Sequence, residues 1–115
     1  MIKAIISGAA GRMGRSLIGA LQASDEFSLV GALESENSEL LGLDAGELAG
    51  VGKAGVLLST TDESLVEQAD VMIDFSSPLA SVFNAETCAE LGTALVIGTT
   101  AVSYTHLTLP TNREV

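Results

Sequence analysis

Seven residues near the start of the chain, Gly8-Ala9-Ala10-Gly11-Arg12-Met13-Gly14, set glycines three apart. Such a run can do one kind of chemistry without a catalytic side chain. The first backbone N–H groups of a helix have no intrahelical acceptor, and they carry the positive end of its dipole. A phosphate fits there. In this reading Gly8 allows a sharp turn, Gly11 lets the backbone approach a pyrophosphate, and Gly14 lets the helix pack closely on the strand before it. Arg12 and Arg15 are two of only five basic residues, so they mark either an anion site or two ordinary surface arginines.

A carboxylate belongs to the same pattern. Glu34 lies about 20 residues beyond Gly14, where an acidic side chain receives the hydroxyls of an adenosine ribose. The glycines alone are also compatible with a tight strand-to-helix turn. With Glu34 in place they indicate a dinucleotide site. Asp74-Phe75-Ser76 and Gly98-Thr99-Thr100 close two later apolar runs. Ligands of open α/β sheets bind outside the carboxyl ends of the strands, so both segments are candidates for the far side of that site. The alternative makes Asp74 a helix cap and Phe75 a core residue.

Other chemistry is poorly represented. Cys88 is the single cysteine, it lies in a segment that reads as helix, and it cannot form an internal disulfide. His106 is the single histidine. No spacing argues for a metal cluster or a Ser/His/Asp set, so neither a catalytic nor a metal-ligating residue is assigned.

The elements that must position these residues follow from periodicity. Ile2–Ile6 reads as a buried strand, Ser7–Gly11 as a turn, and Arg12–Ala23 as a helix with Met13, Leu17, Ala20 and Leu21 at helical spacing. Phe27–Leu33 is a second strand. Residues 35–55 form a polar, glycine-rich excursion with one helical turn. Val56-Leu57-Leu58 is a short strand, and 62–68 a short helix capped by Thr60 or Thr61. Residues 71–75 form a strand. Ser76-Ser77-Pro78 starts a helix running to Leu91, which Gly92 ends. Ala94–Ile97 is a last strand. This alternation implies right-handed crossovers and an α/β fold, a Rossmann-like, doubly wound parallel sheet that is incomplete.

Bulk composition agrees. At 115 residues the chain holds one small domain. Its residues are 47% hydrophobic but only 3% aromatic, so the core is built from small aliphatic side chains. A net charge of -10 disfavours nucleic acid and anionic membranes as partners. The first apolar run is too short for a membrane span and lacks the order of a signal peptide, so a cytoplasmic protein is expected.

The glycine run, Ala32-Leu33-Glu34, the 41–50 run containing Asp44-Ala45-Gly46-Glu47-Leu48, Asp74-Phe75-Ser76-Ser77-Pro78 and Val96-Ile97-Gly98-Thr99-Thr100 resemble, in order, the 4-hydroxy-tetrahydrodipicolinate reductase (dihydrodipicolinate reductase) family. The resemblance covers about residues 2–100. It implies a bacterial cytoplasmic oxidoreductase of lysine biosynthesis by the diaminopimelate route. Such enzymes pass a hydride from NADH or NADPH to a cyclic dicarboxylate, usually as homotetramers. By position, Gly8, Ala9, Ala10, Gly11, Arg12 and Met13 would hold the pyrophosphate and Glu34 the ribose. Phe75, Gly98, Thr99 and Thr100 would line the nicotinamide side.

Two departures qualify the resemblance. Family members that accept NADPH often carry an arginine after the ribose carboxylate, and here that position is Ser35. NADH is therefore expected to be slightly favoured, or neither if Arg12 reaches the extra phosphate. The family's second domain, with its His-His-x-x-Lys and Ser-Gly-Thr segments for substrate and proton, has no counterpart here. The expected organisation is a dinucleotide-binding part at 1–100 and a foreign or read-through tail at 101–115. The substrate and tetramerisation domain is expected to be absent. Such a chain would be inactive alone, marginally stable at the outer edge of its last strand, and weak in dinucleotide affinity. A stand-alone NAD-binding regulatory module and the nucleotide domain of another amino-acid pathway dehydrogenase are the competing readings.

Overall fold

The computed structural model describes residues 1–98. Along them run β1 (Ile2–Ser7), α1 (Arg12–Gln22), β2 (Phe27–Leu33), α2 (Ala45–Leu48), β3 (Leu58–Ser59), α3 (Glu63–Gln68), β4 (Val71–Asp74), α4 (Pro78–Leu91) and β5 (Ala94–Ile97). The strands form one sheet in the order β3-β2-β1-β4-β5. Every strand pair in it is parallel. The doubly wound α/β architecture read from the sequence is therefore present. Thr99, Thr100 and the segment 101–115 lie outside the described residues.

The central strand shows why both faces are covered. Successive side chains of a strand point to opposite faces. Ala4 and Ile6 are fully buried with Ile18 and Leu21 of α1. Ile5, between them, is fully buried with Val66 of α3, Met72 of β4 and Cys88 of α4. A strand buried on both sides needs an unbroken apolar run, which β1 supplies from Ala4 onward.

Three differences from the sequence reading have a local physical cause. The cap of α3 is Asp62, whose carboxylate accepts the Ser64 N–H at 2.9 Å, and not Thr60 or Thr61. A carboxylate at that position also suits the helix dipole better than a hydroxyl. The third strand shrinks to Leu58–Ser59, because Val56 to Leu58 are engaged on their other side. Residues 42–45 run antiparallel beside them: Gly42 N–H donates to Leu58 O, Leu58 N–H to Leu43 O, and Ala45 N–H to Val56 O, at 2.8–2.9 Å. The excursion thus folds back over the outer edge of β3 and shields it from pairing elsewhere. Finally, β4 ends at Asp74, although Phe75 N–H still donates to Ser7 O at 2.9 Å.

Candidate functional site

The glycine run leaves β1 at its carboxyl end. Gly8 takes a positive φ of 81°. Gly8 and Ala9 both donate their N–H to Leu33 O, at 3.0 and 3.1 Å, which ties the loop to the tip of β2. Gly11 N–H donates to Gly8 O at 3.1 Å. Ala10 N–H donates to Oε2 of Glu34 at 2.8 Å, and Arg15 Nε donates to Ala10 O at 2.8 Å. Ala9 is fully buried and its amide is engaged, so it shapes the loop and presents no donor. The amides left at the helix opening are those of Arg12, Met13 and Gly14, and the side chains of Arg12 and Met13 are exposed. Of the arginine pair, Arg15 latches the loop and Arg12 stays at the opening.

The three glycines of the run answer to different demands. A Cβ on Gly8 would lie 2.7 Å from the carbonyl carbon and oxygen of Phe75 and 2.9 Å from Ser76 N, all backbone atoms. A Cβ on Gly14 would meet Gly8 O and lie 2.8 Å from Ala9 Cα. Gly14 therefore lets α1 pack on the turn itself and not on the strand, as the sequence reading had it. Gly11 is different. It caps α1 with φ -75° and ψ 170°, which any residue adopts, and a Cβ there would meet only Gly8 O at 3.4 Å. The fold requires the first and third glycines and tolerates a side chain at the second.

These loops bound a cleft of about 770 Å³ along the carboxyl edge of the sheet. Gly8, Gly11, Glu34, Ser35 and Phe75, all proposed from the sequence, line it together. Gly98 lies beneath Phe75: a Cβ on Gly98 would collide with Cε1 and Cζ of that ring. Asp74 is fully buried, and its Oδ1 accepts both the Ser76 N–H at 2.9 Å and the Ser76 hydroxyl. It shapes the turn after β4, while Ser77 caps α4 by accepting the Ala80 N–H. Phe75 is half-buried and faces the cleft, which excludes the pure core reading.

Several cleft residues were missed from the sequence. Thr60 and Thr61 follow β3, and the strand-end rule applied to Ser59 points to them. Glu36 lies just past Glu34 at the tip of β2. Leu79, Ala80, Phe83 and Asn84 form a wall from α4. Leu79 is 85% and Phe83 53% exposed, so this wall is an apolar surface open to the cleft. Asn84 is buried and donates from Nδ2 to Ser7 Oγ at 3.1 Å, fixing the helix against the end of β1. Among the described residues, the lining includes two glutamates and no Lys, Arg or His.

The arrangement can hold and orient a ligand. Burial, with a smaller contribution from the charge of Asp74, pushes the Cys88 thiol up to about 11, so it stays protonated at neutral pH. Among the described residues no group of His, Cys, Asp and Glu could hold a metal ion, and no helix is long and apolar enough to cross a membrane.

Comparisons with known proteins agree with this geometry. The family model described as dihydrodipicolinate reductase, N-terminus, matches residues 2–110. The 4-hydroxy-tetrahydrodipicolinate reductase of Afipia carboxidovorans is 50% identical over 102 residues, 89% of this chain and 38% of that protein. Its counterpart from Chromohalobacter salexigens is 46% identical over 107 residues, 93% of this chain and 40% of that protein. The chain thus spans about two fifths of the length of these relatives. Among solved structures, the dihydrodipicolinate reductase of Paenisporosarcina sp. TG-14, with dipicolinate bound, shares the fold. It matches with a TM-score of 0.66 and 24% identity, over 87% of this chain and 38% of that one. The chain belongs to the dihydrodipicolinate reductase family and corresponds to its N-terminal part.

Proposed function

We propose that this chain is the NAD(P)H-binding portion of a 4-hydroxy-tetrahydrodipicolinate reductase, the cytoplasmic reductase of the diaminopimelate route to lysine. Within that reading NADH is the favoured cofactor. The observation that carries it is Gly11. Nothing in the fold forbids a side chain there, and a bare backbone at a helix opening is what a diphosphate needs.

The residues present fit such a cofactor. The amides of Arg12 and Met13, with the bare Cα of Gly11, suit the diphosphate. Glu34 lies at the strand tip that receives the adenosine ribose. The apolar side chains of Leu79 and Phe83 and the polar rim of Ser35, Thr60 and Thr61 suit an adenine ring, which has a flat face and a hydrogen-bonding edge. Phe75 and Gly98 are assigned to the nicotinamide side. When bound, a reduced nicotinamide supplies a hydride. The chain's own work is to orient that cofactor along the sheet edge.

The cyclic dicarboxylate substrate, the proton donor and the homotetramer belong to the longer protein in this reading. In this reading the 115 residues bind the cofactor, and turnover is a property of the longer protein. NADH titrated into the 115-residue chain, followed by nicotinamide fluorescence, tests the proposal. Binding of ~1 µM or weaker is expected, and Gly11→Ala should weaken it at least ~10-fold with the melting curve unchanged. Absence of NADH binding, or full affinity in Gly11→Ala, overturns it.

A further inference from the structure

Resting on the nucleotide-binding reading above, we propose that Glu36 determines cofactor specificity by excluding a phosphate from the 2′ position of the adenosine ribose. Ser35 withholds attraction from that phosphate. Glu36 adds repulsion, which is a separate and stronger device.

The placement of Glu36 follows from the turn after β2. Ser38 N–H donates to Ser35 O at 2.9 Å, and Asn37 N–H donates to Ser35 Oγ at 3.2 Å. This tight turn sets Glu36 at the cleft, two residues past Glu34. The two carboxylates differ in what they do. Glu34 accepts a backbone N–H on each oxygen, from Ala10 at 2.8 Å and from Ser35 at 3.2 Å, and so is tied into the fold. Glu36 is exposed on the turn.

A phosphate monoester carries a charge of about -1.5 to -2 at neutral pH. It would enter a cleft lined by two carboxylates, Glu34 and Glu36, and, among the described residues, by no cationic side chain. Of the two arginines in the loop, Arg15 already donates to Ala10 O, and Arg12 is exposed at the helix opening, outside the lining. NADH lacks that phosphate and meets no such penalty. The site is open to solvent, so the repulsion is screened by salt over about 10 Å at 0.1 M ionic strength.

Dissociation constants of NADH and NADPH for the 115-residue chain, at low and high salt, test this. They are compared with Glu36→Gln, Glu36→Lys and the equal-charge control Glu90→Gln, an exposed position on α4 outside the cleft lining. The wild type should bind NADPH at least ~10-fold more weakly than NADH at low salt, and the ratio should fall as salt rises. Glu36→Gln should narrow the ratio by ~3-fold or more through tighter NADPH binding, with NADH affinity kept within ~2-fold. Glu36→Lys should narrow it further, and Glu90→Gln should leave it unchanged. Equal wild-type affinities, an unchanged ratio in Glu36→Gln, or equal narrowing by Glu90→Gln each overturn the role of Glu36. Failure of the wild type to bind either dinucleotide overturns the nucleotide-binding reading itself, and the inference with it.

Discussion

The carboxylate of Glu34 accepts the Ala10 N–H at 2.8 Å, so the tip of β2 holds the glycine loop that leaves β1. In the proposed function, sugar recognition and diphosphate recognition would thereby share one side chain. A group that only touched the ribose would not shape the loop, and one that only braced the loop would not face the cleft. Glu34 does both.

Replacing Glu34 separates these roles. Glu34→Ala strands the Ala10 amide and should cost about 1–2 kcal/mol of stability, with a loss of NADH affinity of ~30-fold or more. Glu34→Gln keeps an acceptor for Ala10, so its melting temperature should stay near wild type while affinity falls less. Melting curves and NADH titrations of both variants check this. Wild-type affinity in Glu34→Ala would remove the ribose role.

The glycines should part in their thermodynamics. Gly8→Ala puts a Cβ at positive φ, 2.7 Å from the Phe75 backbone, and should destabilise by about 3 kcal/mol or more. Gly11→Ala should stay within about 1 kcal/mol of wild type. Urea unfolding of the two variants gives the comparison directly.

Asp44 makes the 44–55 excursion sensitive to acid. Its Oδ1 accepts N–H groups from Gly46, Glu47 and Ala54, and its Oδ2 the Gly55 N–H. Led by the Ala54 bond, and against the opposing effect of burial, these donors hold its carboxyl below the ordinary value of 3.8. A depressed folded value means that the stabilisation is complete above 3.8. It is lost as pH falls through the lower, folded value. Asp44→Asn should therefore lower stability at neutral pH and flatten the acid limb of a pH-stability curve.

Cys88 behaves in the opposite sense. Its thiol is 2% exposed and pushed up to about 11. Its contribution to stability is present below the ordinary value of 9.0 and is lost as pH rises towards 11. A thiol reagent at pH 8 should label it only at the rate of unfolding. Rapid labelling of the native chain would contradict its burial on the face of α4 packed with Met72 of β4.

The sequence made the strands legible because the runs that must be buried on both faces are continuous and apolar, as in Ala4 to Ile6. Glu34 was legible because its distance from the glycine run is set by one strand–helix–strand unit. The α4 wall was not. Apolar residues surround that helix, from Leu79 and Ala80 to Val82 and Phe83, so periodicity marks no face for the cleft. Asn84, a buried amide in that apolar stretch, was the available signal. Glu36 was hidden because its position depends on a turn closed by Ser35, whose side chain the sequence offered only as a missing arginine. The cap of α3 was misassigned because Thr60, Thr61 and Asp62 are all capable of the role, and only the backbone decides which one stands before the first turn.

Amide resonances of the isotopically labelled 115-residue chain, recorded as NADH is added, test the central claim most directly. The account predicts the largest shifts at Gly11, Arg12 and Met13, with further shifts at Glu34 and Ser35 and little change along α2. Shifts that spare the α1 opening, or NADH that perturbs no resonance at all, would contradict it.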